Sequence, residues 1–171
     1  MEIMPEIQQR YSSRAYLDKP VEQAKLDRIL DSARLAPSAR NMQEWRFVVV
    51  RDQQLRRQLV AAAANQQFVG QAAVVIAACG EQADYRMRCG QLAHSIDVAI
   101  ALEHMALQAV REGLATCWIG SFDPDQVKKL LHIPEHISVV ELLTLGYPAD
   151  KPGPKDRVPV EQIACYDRWS F

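Results

Sequence analysis

The segment from Gln91 to Val110 restricts the fold of this 171-residue chain more than any other. Its spacing predicts a helix, and apolar side chains cover nearly the whole circumference of that helix. Such a helix has to be buried on most sides, either in the centre of a monomer or beneath a second subunit, and this feature alone favours neither. It does not suit a membrane span, because Gln91, Asp97 and Glu103 interrupt the apolar residues.

Helical and strand-like patterns alternate along the chain with short connections. The apolar spacing predicts helices over residues 2–9, 21–35, 53–64, 91–110 and 124–131, and strands over 45–50, 74–79, 116–119 and 139–145. Asp52 and Asp123 precede two of these helices as N-caps. The composition, 49% hydrophobic and 24% charged, is that of a globular protein. We therefore predict a single domain over residues 1–171.

Charge balance and glycine positions exclude several classes of function. Lys and Arg number 20 against 21 Asp and Glu, and the net charge of −1 argues against a nucleic-acid partner and against an anionic membrane surface. No two of the seven glycines have the spacing of G-x-G-x-x-G or of a P-loop. Because the N-terminal sequence lacks the features of a signal peptide, we expect a cytoplasmic protein.

The cysteines and histidines do not have the spacing of a metal site. The four cysteines contain no C-x-x-C pair, and we expect neither disulfides nor zinc. His132 and His136 have a spacing that zinc could use, but Pro134 between them breaks the helical register. We interpret both as loop histidines.

Two clusters of cationic and hydroxyl side chains lie at opposite ends of the sequence. The first is Arg10-Tyr-Ser-Ser-Arg14 and the second is Lys155-Asp-Arg157. If they meet, their four cations form an anion site, since charge-assisted hydrogen bonds to a phosphate contribute about 1.5 to 3 kcal/mol each. If they do not, they are solvated surface charges, which is the commoner state of such side chains.

Two other segments stand out beyond the predicted helices and strands. The turn at residues 36–45 offers Ser38, Asn41 and Gln43, either to a ligand or to the backbone as caps. The proline-rich residues 148–171 predict an extended arm. This arm has to pack on its own domain or on a partner, because its end is apolar at Ile163, Tyr166, Trp169 and Phe171.

Four motifs, in this order, resemble those of the nitroreductase family of flavoenzymes. They are R-x-S-x-R after the first helix, A-P-S-x-x-N-x-Q-x-W before the first strand, G-L-x-T-C-W-I-G before a later helix, and L-x-L-G-Y-P followed by K-x-R in the tail. The resemblance covers essentially the whole chain. It implies an α+β, nitroreductase-like fold with a central mixed sheet flanked by helices, and a homodimer that exchanges its extended C-terminal arms.

The resemblance also implies FMN at each of two subunit interfaces. The residues implied for its phosphate, ribityl chain and ring edge are Arg10, Tyr11, Ser12, Arg14, Lys155 and Arg157. Those implied from the other subunit are Pro37, Ser38 and Asn41. The residues implied beside the isoalloxazine ring are Ile119, Gly120 and Ser121, which would approach it with backbone groups, and Asn65, which would reach its polar edge.

The activity implied by the resemblance is that of an FMN-dependent oxidoreductase. NADH or NADPH would deliver hydride to the flavin and then dissociate. An electron-poor acceptor such as a nitroaromatic or a quinone would replace it on the same face of the flavin. This alternating two-step turnover requires no catalytic side chain and no metal. The sequence departs from the family at Ala39 and Glu44, where serine and proline are common, and this concerns acceptor preference more than flavin binding.

Two other functions fit the same residues. The chain also resembles relatives on this scaffold that consume reduced flavin or dehalogenate aromatic compounds. A flavin-binding or redox-sensing module without useful turnover is the alternative from a different class. Bleaching of a yellow protein by NADH or NADPH separates the enzyme from the binding module.

Overall fold

The computed structural model describes residues 3–81 and 83–171. Its helices and strands, in chain order, are α1 Pro5–Gln9, α2 Gln23–Arg34, β1 Trp45–Val50, α3 Gln53–Ala62, α4 Phe68–Gln71, β2 Val74–Gly80, α5 Ala93–Arg111, β3 Ala115–Ile119, α6 Pro124–Leu131 and β4 Ser138–Gly146. All the predicted helices and strands are present in the predicted order. The helix predicted over residues 2–9 is α1, and residue 2 lies outside the described residues.

The strands form one sheet in the order β1-β2-β4-β3. All three strand pairs are antiparallel, so the sheet is antiparallel rather than mixed. The connections do not by themselves decide strand direction: β1 and β2 are joined through two helices, α3 and α4, and β3 and β4 through the single helix α6, yet both pairs are antiparallel. Among the described residues, the parallel pairing is the isolated bridge between Ser12 and Thr116 of β3.

Each face of the sheet has its own apolar cluster, and β2 contributes to both. Val75 and Ala77 pack in one cluster with residues of α3, α4 and α6, while Val74 and Ile76 pack in the other with residues of α2 and α5. Alternate residues of a strand point to opposite faces, so β2, which is buried throughout, is the centre of the core.

Local signals explain where the helices begin and end. Asp52 accepts a hydrogen bond from the Leu55 amide at 2.8 Å, and Asp123 accepts from two amides at the start of α6, as predicted. α3 ends two residues before the predicted Ala64, because Ala64 and Asn65 adopt positive φ angles of 52° and 61°. The short helix α4 was not predicted.

Helix α5 keeps part of its apolar surface uncovered. Leu102 and Met105 are fully buried, but Ile96 remains 40% exposed. Beyond Asp150 the chain forms no further strand, and its helical structure is limited to a short 3₁₀ turn at Val160–Gln162. Within the described residues, no helix is both long enough and apolar enough to cross a membrane.

Candidate functional site: a cationic cleft along β3

The segment after α1 is held against the free edge of the sheet. Ser12 forms the bridge to Thr116 of β3, and the Ser13 amide donates to the Thr116 carbonyl at 3.1 Å. Four residues after Ser12, the buried Tyr16 hydroxyl lies 2.7 Å from Thr144 Oγ1 on β4. The Arg10–Arg14 segment therefore runs beside β3 with its backbone fixed.

Asp150 joins the C-terminal segment to this N-terminal one. Its carboxylate accepts hydrogen bonds from the Ser13 hydroxyl at 2.6 Å, the Arg14 amide at 2.8 Å and the Tyr11 hydroxyl at 3.1 Å. Burial alone would raise the pKa of Asp150, but these hydrogen bonds outweigh it and hold the pKa below its usual value. Sequence reasoning missed Asp150, because its three partners lie more than 130 residues away along the chain.

The two cationic clusters meet in an open cleft of about 460 Å³. Its lining includes all six residues predicted for the phosphate and its surroundings: Arg10, Tyr11, Ser12, Arg14, Lys155 and Arg157. Lys151 adds a fifth cation that the sequence analysis did not single out. The two clusters therefore meet, although Arg14, Lys151, Lys155 and Arg157 remain exposed to solvent.

Positive charge in this cleft exceeds negative charge. Five cationic side chains and one carboxylate line it, and that carboxylate is Asp150, which is already bound by its three partners. The pKa of Lys155 is lowered by burial and by repulsion from Arg10 and Arg157. An anion placed among these cations would relieve the repulsion, so the electrostatics favour an anionic ligand.

A second hollow continues from this cleft along β3. It has a volume of about 300 Å³ and is lined by Arg10, Ser12, Glu103 and Trp118. Arg10 belongs to both spaces, and its Nε lies 3.9 Å from a Glu103 carboxylate oxygen. Trp118 is one residue before Ile119, so the hollow leads from the cations toward the end of β3.

The residues at that end are those predicted to approach the flavin ring. Gly120 and Ser121 are exposed and follow directly on β3. The Ser121 carbonyl accepts a hydrogen bond from Gln66 Nε2 at 3.4 Å, so the loop containing Asn65 lies next to it. Asn65 itself is exposed and does not line the cationic cleft.

The turn after α2 lies apart from the cleft of its own chain. Pro37, Ser38 and Asn41 are absent from the lining of that cleft. Ser38 Oγ instead accepts from the Gln43 amide at 3.0 Å, as the capping interpretation of this turn predicts. The prediction that these residues serve the cleft of a second subunit stays a prediction.

The residues along β3 fit FMN. The cations suit a phosphate monoester, which carries nearly two negative charges at neutral pH. Gly120 lacks a side chain where a flat ring would need close approach to the backbone. Thr116 Oγ1 on β3 and Glu141 Oε1 on the neighbouring strand β4 are buried, and neither has a hydrogen-bond partner among the described residues.

Comparison with known proteins assigns the chain to a family. Residues 7–73 and 58–147 match the nitroreductase family, and the chain belongs to that family. It is 31% identical to an NADH dehydrogenase of Thermus thermophilus, with 92% of each chain covered. It is 28% identical to an FMN reductase [NAD(P)H] of Bacillus subtilis, over 95% of this chain and 72% of the relative.

Structural similarity agrees with this assignment. The crystal structure of a nitroreductase family protein from Clostridium difficile 630 superimposes with a TM-score of 0.88 at 32% sequence identity, covering 99% of this chain and all of the other. The predicted α+β, nitroreductase-like fold is therefore confirmed, with the sheet corrected to antiparallel.

Proposed function

We propose that this protein is an FMN-dependent oxidoreductase that takes hydride from NADH or NADPH and reduces nitroaromatics, quinones or similar electron-poor acceptors. The family membership and the FMN reductase relative confirm the predicted oxidoreductase class, FMN as cofactor and NAD(P)H as reductant. The observation that carries the proposal for this chain is the meeting of its two terminal cationic clusters in one cleft that leads to Gly120.

Bound FMN would supply the redox chemistry, accepting two electrons from NAD(P)H and passing them to the acceptor. The protein binds and orients it. Arg14, Lys155 and Arg157 would neutralise the phosphate, and Tyr11 and Ser12 offer hydroxyl groups beside them. The hollow at Arg10 and Trp118 would take the ribityl chain, and Ile119–Ser121 would lie against the ring.

The functional unit in this proposal is a homodimer with exchanged C-terminal arms. Support comes from the apolar side chains that one chain leaves exposed, among them Tyr166 at 88% and Trp169 at 84%. Pro37, Ser38 and Asn41 would then line the flavin of the partner. The single-domain organisation and the cytoplasmic location also stay predictions.

Absorption spectroscopy of the purified protein tests the function. We expect a flavin spectrum that NADH or NADPH bleaches without oxygen and that a nitroaromatic or quinone restores. A spectrum that neither nicotinamide bleaches would favour the binding module instead. Protein that is colourless and takes up no added FMN would refute the proposal.

A further inference from the structure

Glu141 places a carboxyl group beside the residue that the proposed function puts next to the flavin ring. It pairs with Ala78 of β2, and Ile119 of β3 pairs with the following residue, Leu142. A Cβ atom built on Gly120 would lie 3.4 Å from Glu141 Oε1 and 3.7 Å from Oε2. The carboxyl group therefore lies next to the Gly120 backbone, on the side where a side chain at Gly120 would point.

This carboxyl group is partly buried, and one of its oxygens is shielded from water. Glu141 Oε1 is buried and has no hydrogen-bond partner among the described residues. The register of β2 and β4 shifts next to it, between Ala78 and Cys79. Burial raises the pKa of Glu141, because the charged form loses hydration.

Among the described residues, the ionisable groups on the elements around Glu141 form no ion pair with it. Ala78 and Gly120, its neighbours in the sheet, carry no charge. On α6, Lys128 pairs with Glu135. The other ionisable residues of this helix are Asp125 and Lys129, which are exposed. On α5, Asp97 accepts from the Ala39 amide, Glu103 lies 3.9 Å from Arg10, His104 lies at the Ser32 carbonyl and Arg111 pairs with Glu6. His94 lies against Gly80; its Nε2 is 3.3 Å from Ser95 Oγ, and its Nδ1 is buried without a hydrogen-bond partner among the described residues. No described counter-ion therefore holds Glu141 in its charged form.

We propose that Glu141 is the proton-uptake residue of this site: its carboxylate takes up one proton when FMN gains two electrons, and releases it when the cofactor is reoxidised. The inference rests on the proposed function. The charged form of a partly buried carboxylate without a described counter-ion is disfavoured further by negative charge arriving beside Gly120, so protonation of Glu141 is favoured in the reduced protein.

The proton balance of the reaction agrees with this role. Reduction of a quinone to the hydroquinone by NAD(P)H consumes the hydride and one further proton. The hydride brings two electrons and one proton from the nicotinamide, and the second proton comes from solvent and is held on the Glu141 carboxyl group. It then passes to the acceptor, which leaves the Glu141 carboxylate ready for the next turnover. Glu141 stores this proton and does not bind the phosphate.

The test measures the midpoint potential of bound FMN against pH, together with FMN affinity. The protein is compared with Glu141→Gln, which keeps the shape without the proton site, and with Glu135→Gln, which removes an equal charge at an exposed position. Between the pKa of Glu141 in the oxidised protein and its higher pKa in the reduced protein, wild type and Glu135→Gln should lose an additional tenfold in the reduction equilibrium constant per pH unit. For two electrons this is about 30 mV.

Glu141→Gln should lack that additional dependence and should match wild type at pH values below that pKa, where Glu141 is neutral in both redox states. Curves that stay parallel at every pH, with FMN bound, would overturn the inference and leave the proposed function intact. Failure of wild type to bind FMN would overturn both. If Glu141→Gln does not fold, Glu141→Asp provides the second test. Its midpoint potential should keep the additional pH dependence, but that dependence should begin at lower pH. A plot of midpoint potential against pH identical to that of wild type would overturn the inference.

Discussion

The sheet and the joined chain ends are held together in different ways. Strand β2 is buried on both faces, and its neighbours β1 and β4 satisfy its backbone on both edges. The chain ends meet instead through Asp150 and surround a cleft whose cations repel one another. The comparison teaches that the sheet is held by packing and backbone pairing within one chain, whereas in our proposal the ends are completed by an anion and by a second subunit.

The largest effect expected is on the sheet. Leu143 on β4 is fully buried against residues of α2 and α5, so Leu143→Ala should lower the free energy of unfolding by about 2 to 5 kcal/mol. Leu35→Ala, at a leucine that is 65% exposed, is the control and should change it by less than about 0.5 kcal/mol. Urea denaturation without FMN measures both. Equal effects would contradict the view that the sheet carries the stability of the chain.

The next effect concerns the arm, which should matter to association and not to the fold of the chain. Truncation after Pro159 removes Tyr166, Trp169 and other exposed apolar side chains, each contributing about 1.5 to 3 kcal/mol if a partner buries it. We expect the dimer to weaken about 100-fold or more.

Sedimentation over a dilution series measures this association. Tyr166→Ser, which removes one of those side chains, should weaken the dimer less than the truncation does. A truncated chain that stays dimeric at the same concentrations as the full chain would contradict the exchanged arm.

The third effect is on FMN binding. Lys155→Ala or Arg14→Ala removes one charge-assisted contact and should weaken FMN binding by roughly ten- to a hundredfold, as fluorescence titration would measure. Lys129→Ala removes an exposed cation of α6 outside the cleft and should leave FMN affinity unchanged. Unchanged affinity in both cleft variants would remove the assignment of the phosphate site, with the sheet unaffected.

Sequence patterns predicted the sheet region more closely than the cleft. The bounds of β1 were predicted to the residue, because Trp45–Val50 is a run of aromatic and β-branched residues between turn signals. α4 has four residues, too few for a helical period to be visible. The antiparallel order was missed because strand direction depends on how the connecting segments return the chain, which apolar spacing does not encode.

In the cleft, the sequence indicated the cations but not what joins them. The motifs containing Arg10 and Lys155 identified both ends. In the sequence, Asp150 looks like any other acidic residue of a loop, and only its contacts across the fold distinguish it. Glu141 did carry a signal, since an acidic residue in the middle of the apolar run VVELLTL is unusual for a strand interior. Its meaning depended on Gly120, which only the pairing of β3 with β4 places beside it.

The smallest effect expected tests whether Asp150 stabilises the joined ends through its charge. The pKa of Asp150 is below its usual value in the folded chain. Its stabilisation should therefore be fully present above the unfolded pKa of about 3.9 and be lost as the pH falls through the lower, folded pKa.

Asp150→Asn should thus be less stable than wild type at neutral pH by about 1 kcal/mol, and the difference should shrink toward zero below about pH 4. Denaturation of both proteins at neutral and acidic pH measures it, with the exposed Asp125→Asn on α6 as the matched control. A difference that is independent of pH would mean that Asp150 acts through shape alone. The ends of the chain would then be joined by packing, as the sheet is, and the contrast between the two regions would lie only in the cations.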